Sequence, residues 1–199
     1  MIQLMNITKQ TDNKHINMYK VDYMVNNDLY EYEFASRKSL TSLRTQRKST
    51  DVVRVLPYIY MNGKIEVVII KEFRYAINEW IYALVAGKID EGENMETSAR
   101  REVSEEIGAT VKSMDIIDDN AYVSAGLTDE SVALAVCEVE LDKTPSLQGH
   151  EKIHMYTLPL DEIIKFTNEH TFCAQSKLML LMYYYKTMFN INKIKGMNK

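Results

Sequence analysis

Between Gly87 and Ala109 the chain reads GKIDEGENMETSARREVSEEIGA, and this stretch limits the fold more than any other. From Met95 onward, Met95, Ala99, Val103 and Ile107 recur every four positions, the spacing of one buried helical stripe. Asn94 precedes them as an N-cap whose side-chain oxygen can accept a first-turn N–H. Gly108 follows them in the usual place of a C-terminal stop. The pattern predicts an amphipathic helix with Glu102 and Glu106 one turn apart on a neighbouring face and Glu105 close by. Such like-charge pairs cost a helix about 0.2–0.5 kcal/mol each, and Glu93 adds a fourth carboxylate. A hard divalent cation such as Mg2+ suits an all-oxygen set of this kind, with water and phosphate oxygens completing its shell. A lone E-x-x-x-E reads better as a solvated acidic face, so the surrounding order of residues has to decide.

That order matches the Nudix box at each fixed position: Gly87, five residues, Glu93, seven residues, Arg101-Glu102, an apolar residue, any residue, Glu105-Glu106, any residue, Gly108 and an apolar residue. On this match the chain is identified as a member of the Nudix hydrolase family. Ala109 is the soft position, because a larger aliphatic residue is commoner there.

With 199 residues, the chain has room for one domain of moderate size with additions. We divide it into an N-terminal strand unit, 1–50, and a catalytic domain with C-terminal helices, 51–199. No apolar run approaches 18 residues and the first fifteen are too polar for a signal peptide, which predicts a soluble, cytoplasmic protein with no membrane partner. Cys137 and Cys173 form neither a disulfide framework nor a metal cluster, in keeping with a reducing compartment. A formal net charge of −4 argues against a nucleic-acid surface but not against a small anionic ligand.

Taken in order, His15–Val25 and the run LYEYEF predict a hairpin around Asn26-Asn27-Asp28. Tyr30, Tyr32 and Phe34 share one aromatic face opposite Glu31 and Glu33. A two-stranded hairpin is unstable alone, so that face should pack on the core or on a partner subunit. Arg37 to Lys48 reads as a connector with room for a third short strand. A second hairpin, 51–72, turns at Asn62-Gly63, and Val67–Ile70 reads as a strand covered on both faces. Further strands are expected at Trp80–Val85, Val111–Ile117, Val132–Glu140 and Ile153–Tyr156. Helices should follow at Leu160–Glu169 and Ala174–Phe189, with Leu178, Leu180, Leu181 and Met182 buried and the basic tail frayed. The fold class is α/β (α+β), and the resemblance specifies the Nudix fold, a mixed β-sheet sandwiched between helices with an N-terminal antiparallel strand unit.

The resemblance implies hydrolysis of a nucleoside diphosphate linked to another group. It makes Glu102 and Glu106 metal ligands, Glu105 a ligand or an outer partner, and Arg101 the residue that orients the carboxylates, with Glu93 behind them. The metal is Mg2+, with Mn2+ as the other candidate. Outside the box, VLP, KEFRYAINEW and LVAGKIDEGE resemble the ADP-ribose and nucleotide-sugar pyrophosphatase branch over roughly residues 15–185. In that branch the carbonyl at Ala86 is a metal ligand, Arg74 reaches the diphosphate, and the N-terminal sheet is exchanged across a homodimer and helps bind the nucleotide. The downstream loop keeps Ser124, Gly126 and Glu130, a substrate-binding position, but Ala125 stands where ADP-ribose enzymes carry Pro. Ala83 likewise replaces a common Glu. Both departures point to another nucleotide sugar or a broader range. The general base should come from the loop SLQGHEKIHMY, where Glu151 is the carboxylate in place and His150 is beside it. A solvated loop residue is the competing reading of Glu151. His15, His154 and His170 lack ligand spacing, and Tyr183-Tyr184-Tyr185 suits a helix packing on core and dimer partner. Two other readings stay open: a nucleoside triphosphate or dinucleoside polyphosphate hydrolase, and a non-catalytic nucleotide sensor.

Overall fold

In the computed structural model the described residues are 1–43, 50–147, 149 and 152–197, without the side chains of 192 and 194–197. They divide into two compact units: residues 1–52 with 119–133, and 53–118 with 134–199.

The first unit is built on an antiparallel three-stranded sheet: β1 (Ile2–Lys9), β2 (Asn17–Val25) and β3 (Asp28–Ser36), in that order. β2 and β3 form the expected hairpin. Asn26 and Asn27 turn it with φ of 52° and 75°, the positive pair that a two-residue turn matched to strand twist requires. Alternation places Tyr19, Val21 and Phe34 on one face, where they are buried, and the rings of Tyr19 and Phe34 stack across the strands at 5.8 Å. The aromatic face of β3 is only partly covered: Phe34 is buried, whereas Tyr30 is exposed. Of the 37–48 connector, where room for a third strand is expected, the described part, 37–43, contains none, and 44–48 lie outside the described residues. The sheet seen here draws its third strand from elsewhere. It is β1, which takes the free edge of β2 and brings Leu4 and Ile7 onto the same apolar cluster. Its sequence, IQLMNITK, alternates too weakly to announce itself, and only the edge of β2 gives it a partner.

The second unit holds all or most of β4 (Val52–Met61), β5 (Lys64–Arg74), β6 (Glu79–Ala83), β7 (Val85–Lys88), α1 (Met95–Ile107), β8 (Ala109–Tyr122), β9 (Ser131–Leu141) and β10 (Ile153–Pro159). A 3-10 turn (Leu160–Glu162), α2 (Ile163–Glu169) and α3 (Ala174–Met197) complete it. Its sheet runs β10-β5-β4-β9-β8, with β6 paired to β5 and β7 to β4. β5 is the spine. β10 lies along one edge, and the other edge is shared by β4 near the Asn62-Gly63 turn and by β6 further on. Val67, Val68, Ile69 and Ile70 are all buried, as a strand covered on both faces demands. Val67 and Ile69 meet Leu160, Ile163, Met179 and Leu180 from the C-terminal helices.

The single strand expected at Trp80–Val85 is two. The chain changes partner at Leu84, whose N–H leaves the ladder and donates to Ser176 Oγ at 3.0 Å. Ser176, fully buried, also accepts Arg54 Nη1 at 2.6 Å. α3 runs past Phe189 to Met197 instead of fraying. It buries Met179 and Leu180 but exposes Leu178 and Met182, because five consecutive apolar residues on a helix cannot all face one core.

Candidate active site

The box helix forms as its sequence dictates. Asn94 is extended at φ −98° and ψ 169°, and its side chain accepts the Thr97 N–H at 2.9 Å. Ala99, Val103 and Ile107 are buried, and Met95 is half-buried where the helix begins. Gly108 closes the helix in the left-handed region, φ 62° and ψ 43°, where its N–H reaches the Val103 and Ser104 carbonyls. A Cβ there would also stand 2.3 Å from the Lys143 carbonyl oxygen, so geometry and space both require glycine. Ala109, the soft box position, is buried immediately after this crowded turn.

Beside the stripe, β7 passes directly over the carboxylates. A Cβ on Gly87 would lie 1.9 Å from Glu102 Oε1, and the Ala86 N–H donates to Glu106 Oε2 at 3.3 Å. Glu102 and Glu106 are both buried, at 8% and 6% exposure, while Glu105 is half-exposed at the rim. Arg101 binds the array together. Its Nη1 lies 2.7 Å from Glu102 Oε1 and 3.4 Å from Glu105 Oε2, its Nη2 is 3.0 Å from Glu93 Oε2, and Nη2 also donates to the Lys88 carbonyl at 2.9 Å. The Ser98 hydroxyl donates to Glu93 as well. Arg101, then Ser98, hold the Glu93 carboxyl down at about 2, and Glu93 in turn raises the Arg101 guanidinium. Ser98 and the Lys88 carbonyl were not legible in the sequence, since a serine on a polar helix face and a strand carbonyl carry no pattern.

Among the described residues no three His, Cys, Asp or Glu side chains converge as they would around an ion. The donor chemistry nonetheless fits a hard cation. Glu93, Glu102 and Glu105 share one guanidinium, and the buried Glu106 stands one turn from Glu102, so the array carries excess negative charge in a poorly solvated place.

The other expected site residues are distributed as follows. Arg74 ends β5, half-exposed, and pairs with Glu72 at 2.6 Å. Ala83 is fully buried opposite Ile70, a setting in which its methyl group makes no polar contact. Glu151 and its neighbour His150 lie outside the described residues. Glu130 belongs to the first unit, where it pairs with Arg37 at 3.0 Å. Ala125, in the same unit, lines a cavity of about 360 Å3 with Tyr23, Tyr32, Phe34, Tyr122 and Asp129. Tyr32 fixes the loop there by donating to the Gly126 carbonyl at 2.5 Å.

The NUDIX domain profile matches residues 50–177, which takes in the box, the strands around it, α2 and the start of α3. The chain belongs to the Nudix hydrolase family. It is 31% identical over 140 residues to the ADP-ribose pyrophosphatase of Bacillus subtilis, covering 69% of this chain and 74% of that protein. Within the family this similarity places it with the ADP-ribose pyrophosphatase branch. A Caenorhabditis elegans protein carrying the nudix hydrolase name is 32% identical over 94 residues, 47% of this chain and only 42% of its own length. Among solved structures, that of an ADP compounds hydrolase superposes with a TM-score of 0.72, covering 94% of this chain and 95% of the other. At 15% identity that likeness speaks for the fold alone.

Proposed function

We propose that this protein is a divalent-cation-dependent pyrophosphatase that cleaves the diphosphate of a nucleoside diphosphate sugar, ADP-ribose or a close relative. Water adds to one phosphorus, the bridging P–O bond breaks, and a nucleoside monophosphate and a sugar phosphate leave. The observation that carries the reading is the buried carboxylate pair Glu102 and Glu106 beneath the bare backbone of Gly87, tied to Glu105 and Glu93 by Arg101.

Glu102, Glu105, Glu106 and the Ala86 carbonyl are the proposed cation ligands. When bound, Mg2+ or Mn2+ neutralises the diphosphate and makes the attacking water more acidic. Arg101 holds Glu93, Glu102 and Glu105 through one guanidinium and keeps the Glu93 carboxyl ionised. Glu151 is the proposed general base, Arg74 the diphosphate contact, and Glu130 a substrate contact. The buried Ala83 supports a substrate range that differs from that of relatives with Glu in its place. The division near residue 50 belongs to the same reading, supported by a family profile that starts there. So do a cytoplasmic setting, supported by two free cysteines, and a homodimer through the N-terminal sheet, supported by the exposed Leu29 and Tyr30. No helix among the described residues is long and apolar enough to cross a membrane.

The test is phosphate release, coupled to a phosphatase, from ADP-ribose, GDP-mannose, UDP-glucose, diadenosine polyphosphates and nucleoside triphosphates, with Mg2+ and with EDTA. Cleavage of a nucleotide sugar that EDTA stops is expected. Cleavage of triphosphates alone would overturn the substrate class, and binding without turnover would overturn the activity.

A further inference from the structure

α3 carries an apolar surface that its own fold leaves uncovered. Its inner side is accounted for: Met179 and Leu180 are buried, and Tyr183, Tyr184 and Met188 pack on the core. On the opposite side Leu178, Met182, Tyr185 and Phe189 are 60%, 63%, 62% and 69% exposed. At 100° per residue these four fall within about 60° of each other, so they form one continuous ridge along three turns. Large apolar side chains in solvent are ordinary when scattered. Contiguous patches of a few hundred Å2 mark contact surfaces.

The spacing of the ridge, 4-3-4, reads the same in both directions. A two-fold axis between Met182 and Tyr185, perpendicular to the helix, therefore lays the ridge on a second copy of itself. Leu178 then meets the partner's Phe189, and Met182 meets the partner's Tyr185. Each aromatic ring is set against an aliphatic chain, the large-with-small alternation that fills a helical seam. The flanking charges favour the same direction. In the antiparallel seam Lys177, Lys186 and Lys193 stand across from Asn190, Leu181 and Ala174, whereas a parallel pair would set each lysine against its own counterpart. The four side chains leave on the order of 500 Å2 bare, and two copies together cover about 1,000 Å2, the lower bound for a specific interface.

We propose that α3 is a self-association surface, on which two copies of this chain pair antiparallel through Leu178, Met182, Tyr185 and Phe189. The seam is a different surface from the N-terminal sheet and does not depend on the catalytic reading.

Disulfide trapping tests it residue by residue. Met182→Cys and Tyr185→Cys are made separately in a Cys173→Ser chain, oxidised alone and as a mixture, and resolved without reductant. Because bridged Cα atoms must lie within about 7 Å, the mixture should give about tenfold more covalent dimer than either variant alone. Both positions are exposed, so the variants should keep the wild-type circular dichroism spectrum. Equal cross-linking by Tyr185→Cys alone would overturn the antiparallel register. No covalent dimer in the mixture, or a bond from the thiol of the Tyr185→Cys chain to any residue outside α3, would overturn the self-association surface.

Discussion

Gly87 and Glu102 are in contact through an absence: a Cβ on Gly87 would stand 1.9 Å from Oε1 and 2.0 Å from the carboxyl carbon of Glu102. The first residue of the box thus makes room for the carboxylate fifteen residues later. Replacing Gly87 with Ala should displace Glu102 or β7, lowering stability by about 1–3 kcal/mol. Turnover should fall further than stability explains. Thermal melts and kcat on the same preparation separate the two effects.

Glu106→Gln keeps size and hydrogen bonding while removing the charge. The fold should survive, because the Ala86 N–H still finds an oxygen, and kcat should drop more than about a hundredfold. Glu105→Gln, at the half-exposed rim, should cost less. A near-normal rate for Glu106→Gln, measured with saturating Mg2+, would remove it from the ligand set.

Arg101→Lys retains the charge but not the fork that reaches Glu93, Glu102 and Glu105 together. The expected result is a loss of about 1–2 kcal/mol in urea unfolding and a higher Mg2+ concentration for half-maximal rate. An unchanged Mg2+ dependence would mean that Arg101 supports the fold without orienting the carboxylates.

Glu93 gives the protein an acid-labile contact. Its carboxyl titrates at about 2 in the folded chain against an ordinary value of 4.5, chiefly through Arg101 and then Ser98. A depressed folded value means that the contribution is fully present above about pH 4.5 and is lost as pH falls toward about 2. Urea midpoints of wild type and Glu93→Gln should therefore differ at neutral pH and converge across this window.

The two thiols should differ sharply in reactivity. Burial pushes Cys137 up to about 12. Burial acts in the same direction on Cys173, but it is outweighed by the Arg54 guanidinium, the Ser176 and Gln175 N–H groups and the Ser176 hydroxyl, so that its value is lowered. Iodoacetamide at neutral pH should label Cys173 first and leave Cys137 until the chain unfolds, as peptide mass mapping would show. Arg54→Met should narrow the difference.

What is local in this protein can be read from the order of its residues. Cap, stripe and stop in 94–108 are consequences of backbone and helix spacing, and the Asn-Asn and Asn-Gly turns follow from residues that tolerate positive φ. The family was legible for the same reason, since box spacing is a property of one helix and the loop before it. Tertiary structure decided whatever needed a partner from elsewhere in the chain. β1 is a strand because β2 has an open edge, and β6 and β7 are two strands because Ser176, ninety-two residues away, takes the N–H of Leu84. Gly87 over Glu102, Ser98 on Glu93 and the bare ridge of α3 were likewise beyond a linear reading. Each depends on which surface another element covers, and that is settled only when the chain packs.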